Sequence, residues 1–266
     1  MRIQMNARTV AFVLASTSQG TLIVNRFDHY RSERAEWGVG FELLRDGSYS
    51  SKEVNLCLAL LKHRRQHFGD GVFAVDCGAN LGIHTIEWAR FMSGWGSVLA
   101  VEPQERIFYA LCGNIALNNC FNARAIHAAV GATEGEIQVP ILDYLKSSSF
   151  GSLELRQRLN SEPIGQHVSY LDSKTQATPM ICLDGCDFKR LDLIKMDIEG
   201  MEEEALNGSQ KTIKKLRPIL LVERIKSRSD VLDGFFISHG YKTFSVGMND
   251  LAIHQDDPTL LAIKVV

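Results

Sequence analysis

Residues 72–82, V-F-A-V-D-C-G-A-N-L-G, form an apolar run that ends in Asp76 and breaks into glycines before a helical pattern opens with His84 and Thr85. Such a stretch predicts a buried strand, a tight turn and a helix N-terminus, which together make a seat for a nucleotide-like ligand. Gly78 and Gly82, with Ala79 and Asn80 between them, let the backbone approach a ligand without a side chain in the way. Further acids stand at the ends of later apolar runs. Glu102 closes V-L-A-V-E (98–102), Asp197 closes 191–197 with Glu199 two residues beyond it, and Glu223 closes 218–223.

A dinucleotide fold carries G-x-G-x-x-G with an acid about 20 residues on. The turn here is instead Asp76-x-Gly78-x-Asn80-x-Gly82. A carboxylate at that turn repels a diphosphate but suits an ammonium or sulfonium charge, and S-adenosylmethionine has both and no pyrophosphate. Glu102 is placed to accept hydrogen bonds from two ribose hydroxyls, each worth roughly 1.5–3 kcal/mol to a charged acceptor. The plainer alternatives are a helix N-cap for Asp76 and a solvent-exposed strand-end acid for Glu102. Asp197 and Glu199 share a side if their strand persists, and Glu223 should end the adjacent strand, where ligands of open α/β sheets gather. These three acids can bind the cofactor's amino group, act as a general base or hold Mg²⁺ or Ca²⁺; alternatively Lys195 and its neighbours neutralise them as a structural network. No metal is assigned.

The elements around these residues alternate. Two β-like runs, 9–15 and 21–27, flank S-T-S-Q-G and predict a hairpin. Ser50 or Ser51 can cap a following helix with Glu53 in its first turn and Val54, Leu56, Leu58, Leu60 and Leu61 as its apolar side. After the opening strand come a helix over 83–92 with Ile86, Ala89 and Phe91 buried, a strand over 98–102, a helix over 104–118 and a strand over 122–130. The pattern lapses over 135–178, a polar stretch of the kind that is functional or mobile. It resumes with strands at 191–197 and 218–223, helices at 201–215 and 230–239, and final strands at 241–246 and 260–265 joined by turn-rich M-N-D-L-A-I-H-Q-D-D-P. Strict alternation implies a parallel sheet covered on both faces.

The 266 residues are 45% hydrophobic with a formal net charge of -2, enough for a sizeable core and without a basic field that favours nucleic acid. The basic clusters 63–65 and 211–228 read as solvated faces. The six cysteines include no C-x-x-C pair; Cys57, Cys77, Cys112 and Cys182 sit in apolar or strand-like surroundings, and Cys182 and Cys186 have no second pair to complete a zinc site. Reduced thiols, and an apolar run at 10–15 too short for a bilayer span, lead to the expectation of a cytoplasmic protein.

Five blocks carry a resemblance: V-D-C-G-A-N-L-G-I-H-T (75–85), V-E-P-Q (101–104), N-I-A-L-N-N (114–119), A-A-V-G (128–131) and I-K-M-D-I-E-G-M-E (194–202). In this order and spacing they resemble the FkbM family of class I S-adenosylmethionine-dependent methyltransferases, and G-S-Y (47–49) resembles the family's entry segment, with Ser50 where an acid is expected. The resemblance implies a Rossmann-like, mostly parallel seven-stranded sheet with a reversed last strand, carried by residues 71–266 with an insertion at about 136–180, and an N-terminal β/helix extension over 1–70. It implies O-methylation of a hydroxyl on a sugar, polyketide or related metabolite, a small-molecule or glycan acceptor. Asp76, Gly78, Ala79, Asn80 and Gly82 would line the methionine end, Glu102 the ribose, and Pro103, Ala129 and Val130 the adenine. His84 and Thr85 would offer backbone N–H groups to the carboxylate. Asp197, Glu199 and Glu223, from their strand-end positions, stand as the candidate catalytic acids.

An NAD-dependent oxidoreductase and a catalytically silent cofactor-binding module are the competing readings; the glycine spacing opposes the first, and the intact turn with Glu102 and Asp197 opposes the second. Tyr144, Arg156, Arg158, His167 and Tyr170 can contact a polar acceptor or decorate a surface loop.

Overall fold

The computed structural model describes residues 9–33 and 35–262. The chain opens with an antiparallel hairpin, β1 (Phe12–Thr17) and β2 (Gly20–Asn25), then a short pair, β3 (Tyr30–Arg31) and β4 (Glu36–Trp37), and helices α1 (Val39–Asp46) and α2 (Ser51–Phe68). Next come β5 (Val72–Cys77), α3 (Ile83–Phe91), β6 (Gly96–Glu102), α4 (Glu105–Leu117) and β7 (Ala123–His127). Three strands follow, β8 (Ala129–Val130), β9 (Gly135–Pro140) and β10 (Thr175–Ile181). The remainder is β11 (Leu193–Met196), α5 (Glu202–Asn207), α6 (Gln210–Leu216), β12 (Ile219–Glu223), α7 (Ser229–Ser238), β13 (Tyr241–Val246) and β14 (Asn249–His254).

Seven strands build the main sheet in the order β13-β14-β12-β11-β5-β6-β7. β7, β6, β5, β11 and β12 are parallel, and β14 enters antiparallel between β12 and β13. The sheet therefore has the Rossmann-like form with a reversed last strand. β5 is central because its residues suit burial on both faces: Val72, Ala74, Val75 and Cys77 are fully buried. From β5 the chain steps to β6 and β7 on one side and later to β11 and β12 on the other, so the crevice lies at the carboxyl ends of β5 and β11.

Several expected boundaries move. The last strand is Asn249–His254, while Pro258–Ala262 is a 3-10 turn and residues 263–265 of the expected strand lie outside the described residues. Its polar letters disguised it, because Asn249 donates to Glu53 and Asp250 accepts from Arg224 inside the fold. The strand expected over 122–130 divides at Ala128: β7 stays in the main sheet, whereas β8 pairs with β10 in a separate three-stranded sheet. The helix expected over 201–215 breaks at Gly208 and Ser209. Phe91 is 38% exposed rather than buried, and Cys112 is exposed.

The 136–180 stretch is built rather than loose. β9 and β10 pair antiparallel along its base, and Phe150, Leu153, Leu155 and Ile164, in the segment that joins them, are buried. At the other end of the chain the hairpin is tied to the core by Asn114. Its amide oxygen accepts from Ile23 N at 2.5 Å and its nitrogen donates to Leu81 O at 2.9 Å, which joins β2, α4 and the turn after β5. No helix among the described residues is long and apolar enough to cross a membrane.

Candidate functional site

Two connected hollows open at the carboxyl ends of β5, β6, β11 and β12. A narrow slot of about 40 Å³ runs past Gly78, Asn80, Glu102, Pro103, Ala129 and Val130 under a roof of Gly151, Leu153 and Leu155. A broader cleft of about 460 Å³ shares Gly78, Asn80, Gly151, Asp197 and Glu199 with the slot and extends to Asp76, His84, Lys195 and Glu223.

The turn after β5 forms the seam between them. Gly78 and Ala79 both donate to Val101 O, at 2.9 and 3.0 Å, so the turn hugs the end of β6. Gly78 has φ 77, and a Cβ there would stand 1.9 Å from the Asp197 carbonyl oxygen, a gap that only glycine leaves open. Asn80 takes φ 50, the left-handed region that asparagine tolerates. Ala79 packs with Ala100 and Leu111, and Gly82 caps α3 against Leu111.

Glu102 is 3% exposed and clamped by backbone: Asn80 N donates to Oε2 at 2.9 Å and Gln104 N to Oε1 at 2.8 Å. A carboxylate has about four lone-pair sites, so each oxygen keeps capacity to accept from a ligand. Burial pushes this carboxyl up to about 7 against those two N–H groups, with the Asp76 and Asp197 charges adding to the rise. The solvent-exposed alternative for Glu102 is removed by its burial.

Asp76 does not cap α3. It is 1% exposed, Oδ2 accepts from the Thr85 hydroxyl at 2.6 Å, and Oδ1 has no hydrogen-bond partner among the described residues. Thr85 thus acts on Asp76 through its side chain. His84 is held by a residue from another element, with Nε2 3.0 Å from Glu53 Oε1. Burial works to raise the Glu53 carboxyl, but contact with His84, the Lys195 charge and Asn249 hold it below its usual range. Both His84 and Thr85 lie in the first turn of α3, where backbone N–H groups have no acceptor within the helix.

Asp197, Glu199 and Glu223 converge, with one carboxylate oxygen of each lying within 4.8 Å of the others. Lys195 Nζ donates to Asp197 Oδ2 at 2.8 Å and Lys226 Nζ to Glu199, while Glu223 Oε2 is buried with no partner among the described residues. Lysine neutralisation therefore covers two of the three acids. Burial, then the Asp197 and Glu199 charges, push Glu223 up to about 8; burial pushes Glu199 up to about 7 despite Lys226. Lys195 is itself desolvated, yet the Asp197, Asp76 and Glu53 charges raise it and keep it protonated. Glu199 sits at φ 57, a conformation held by Glu202, whose Oε1 accepts from Ile198 N and Gly200 N.

Five contributors escaped the sequence reading of the site. Glu53 appeared only as a first-turn acid, Asn249 lay in an expected turn, and Lys226 and Glu202 lay in helical or basic runs. Tyr49 also lines the cleft, fixed by Gln19, which donates to Tyr49 O at 2.8 Å and accepts from Tyr49 N at 2.7 Å. The G-S-Y segment was the one available signal. Of the insertion residues, Tyr144 bonds Gln104, Arg156 pairs with Glu204 on the surface, His167 is exposed, and Arg158 and Tyr170 line a separate hollow. The main cleft instead takes Ser149, Gly151, Ser152 and Glu162 from that stretch.

The buried residues fit S-adenosylmethionine on their own chemistry. Asp76 Oδ1 is a buried acceptor with no partner among the described residues, Glu102 is a paired acceptor at the slot, and among the described residues no basic side chain lines the slot to hold a pyrophosphate. Comparison with known proteins agrees with this chemistry. A family model described as "Methyltransferase FkbM domain" matches residues 76–243. A curated "Methyltransferase 1" of Beauveria bassiana (strain ARSEF 2860) is 24% identical over 171 residues, 61% of this chain and 68% of its own. The crystal structure of methyltransferase FkbM from Methylobacillus flagellatus KT aligns with TM-score 0.48 and 18% identity over 72% of this chain; the match spans 48%, about half, of that longer chain. The family model spans more than half of the sequence and contains both the turn after β5 and the three acids, so the chain belongs to the methyltransferase FkbM domain family.

Proposed function

We propose that this protein transfers the methyl group of S-adenosylmethionine to a hydroxyl on a small-molecule or glycan acceptor. The observation that carries the reading is the pairing of Asp76 Oδ1, buried without a partner among the described residues, with Glu102, whose oxygens are both aligned by backbone N–H groups, on either side of the Gly78 turn. Asp76 holds the methionine ammonium, Glu102 accepts from the ribose hydroxyls, and Pro103, Ala129 and Val130 border the adenine. Gly78, Ala79, Asn80 and Gly82 keep the turn open, and the N–H groups of His84 and Thr85 face the methionine carboxylate.

Bound S-adenosylmethionine supplies an electrophilic methyl group; its in-line transfer to oxygen leaves S-adenosylhomocysteine and releases the hydroxyl proton. What the protein adds is alignment, worth roughly 7–11 kcal/mol of the barrier, against about 10²–10⁴-fold from a general base. Asp197, anchored at Oδ2 by Lys195, is the group placed to accept the hydrogen bond of the acceptor hydroxyl. Glu199 and Glu223 complete the acidic wall facing it.

Differential scanning fluorimetry with S-adenosylmethionine, S-adenosylhomocysteine and NAD tests the cofactor. The first two should stabilise the protein; a shift with NAD alone would replace this reading with an oxidoreductase.

A further inference from the structure

His84 lines the same cleft as Asp76, and residues from two distant parts of the chain hold its side chain there. It is 6% exposed, and the buried Trp88 packs edge-on against it with ring centroids 5.6 Å apart. Nε2 stands 3.0 Å from Glu53 Oε1 of α2, off the line of a good hydrogen bond, so the contact is an ion pair first. Nδ1 makes no hydrogen bond among the described residues. Glu53 is fixed in turn by Asn249 of β14, whose amide donates to Oε2 at 2.7 Å. Burial works to raise Glu53, but His84, the Lys195 charge and Asn249 hold it below its usual range, so it faces the ring as a carboxylate. Neither Glu53 nor Asn249 lies within the residues 76–243 that match the family model. An imidazole this deeply buried, with an anion at one nitrogen and nothing at the other, is short of a partner.

The methyl donor supplies one. Asp76 Oδ2 accepts from the Thr85 hydroxyl at 2.6 Å, so an ammonium on Oδ1 sits beside the first turn of α3. In an amino acid the ammonium and the carboxylate are attached to one carbon, and the carboxylate therefore reaches the same turn. We propose that the His84 side chain, oriented by Glu53, binds the methionine carboxylate of the donor, so that the N-terminal extension completes the donor site. The proposal rests on the methyltransferase reading above, which gives that carboxylate backbone N–H groups alone, and adds a charged side chain and a positioning residue. With Glu53 at Nε2 and the ligand carboxylate at Nδ1, the bound ring is an imidazolium that donates on both sides. Asp76 and His84 together match a zwitterion, whose two charges cancel as it enters. A phosphate brings no cation for Asp76 and meets Asp197, Glu199 and Glu223 in the same cleft.

Calorimetric titration with S-adenosylmethionine and with decarboxylated S-adenosylmethionine, which keeps the ammonium, sulfonium and adenosine, tests this on wild type, His84→Ala, Glu53→Gln and the double variant. Wild type should bind the complete donor about tenfold or more tightly, the range of a hydrogen bond to a charged group. His84→Ala should remove most of that preference. Glu53→Gln, close in shape, should lower it too, and the double variant should lose no more than His84→Ala alone, because Glu53 acts through the ring. The preference is a ratio on one protein, so a general loosening that weakens both donors alike does not imitate this result. A preference that survives both single variants would make the His84–Glu53 pair structural and overturn the proposal. Tighter binding of the complete donor by Glu53→Gln, the sign expected if Glu53 only repels the carboxylate, would also overturn it. So would equal affinity of wild type for the two donors, which would leave Nδ1 to the methyl acceptor. Failure of wild type to bind either donor removes the methyltransferase reading as well; donors bound without preference remove this proposal alone.

Discussion

Gly78 and Asp197 meet backbone to backbone: a Cβ on the glycine would stand 1.9 Å from the aspartate's carbonyl oxygen. That approach sets the turn after β5 directly against the strand end that carries the acidic wall, and it couples the cofactor side of the crevice to the acceptor side.

Gly78→Ala should therefore be severe. The methyl group must displace backbone, and the residue must keep φ 77, which alanine disfavours. Overpacking of this kind typically destabilises by about 1–3 kcal/mol. For a domain near this size, Tm should fall by roughly 2–4 °C per kcal/mol. Thermal unfolding followed by circular dichroism checks this, and an unchanged Tm would mean that the turn and Asp197 do not touch.

Gln19→Ala should loosen the cleft wall from a distance. The variant leaves Tyr49 N and O without the two bonds that Gln19 provides, in a position where Gln19 is 5% exposed. Each unpaired buried group costs about 1–3 kcal/mol. Urea unfolding should show the loss, while affinity for S-adenosylhomocysteine, which Gln19 does not face, should hold.

The ligand-free protein should lose stability as pH rises towards 8. Glu223, raised to about 8, and Glu102 and Glu199, raised to about 7, bind protons in the folded chain that the unfolded chain has released above its ordinary value of 4.5. The folded state therefore binds more protons between those limits. Its extra stability is fully present below about 4.5 and is lost as pH passes through 7 to 8. Glu223→Gln removes one of these groups and should flatten the profile measured by urea unfolding between pH 5 and pH 8; an identical slope in the variant would contradict the burial of this carboxyl. These pH limits are set by about 4.5 and about 8 for Glu223.

The parallel core was legible because Val72, Ala74 and Val75 belong to a β-like run with burial on both faces, and because the acids at its ends stand at strand termini. Asp76 and Glu102 were legible for the same reason. β14 was not, since a buried Asn249 and Asp250 read as a turn until Glu53 and Arg224 are in place to satisfy them. Glu53 itself reads as a helix-dipole acid, and only tertiary contact with His84 and Asn249 turns it to the cleft. The 136–180 stretch was obscured by its polar surface; its ordering depends on buried Phe150, tied to Asp28, Gln104 and Tyr144, and on buried Ile164, whose carbonyl accepts from Ser148 and Ser149, contacts that no local period announces.

The cofactor assignment stands or falls on Glu102. Calorimetric titration of S-adenosylhomocysteine into wild type and Glu102→Ala, with circular dichroism confirming the fold, measures it directly. Loss of hydrogen bonds to a charged acceptor should weaken binding by about tenfold or more. An unchanged dissociation constant would contradict the assignment of the slot beside Gly78 and Asn80 to the ribose of S-adenosylmethionine.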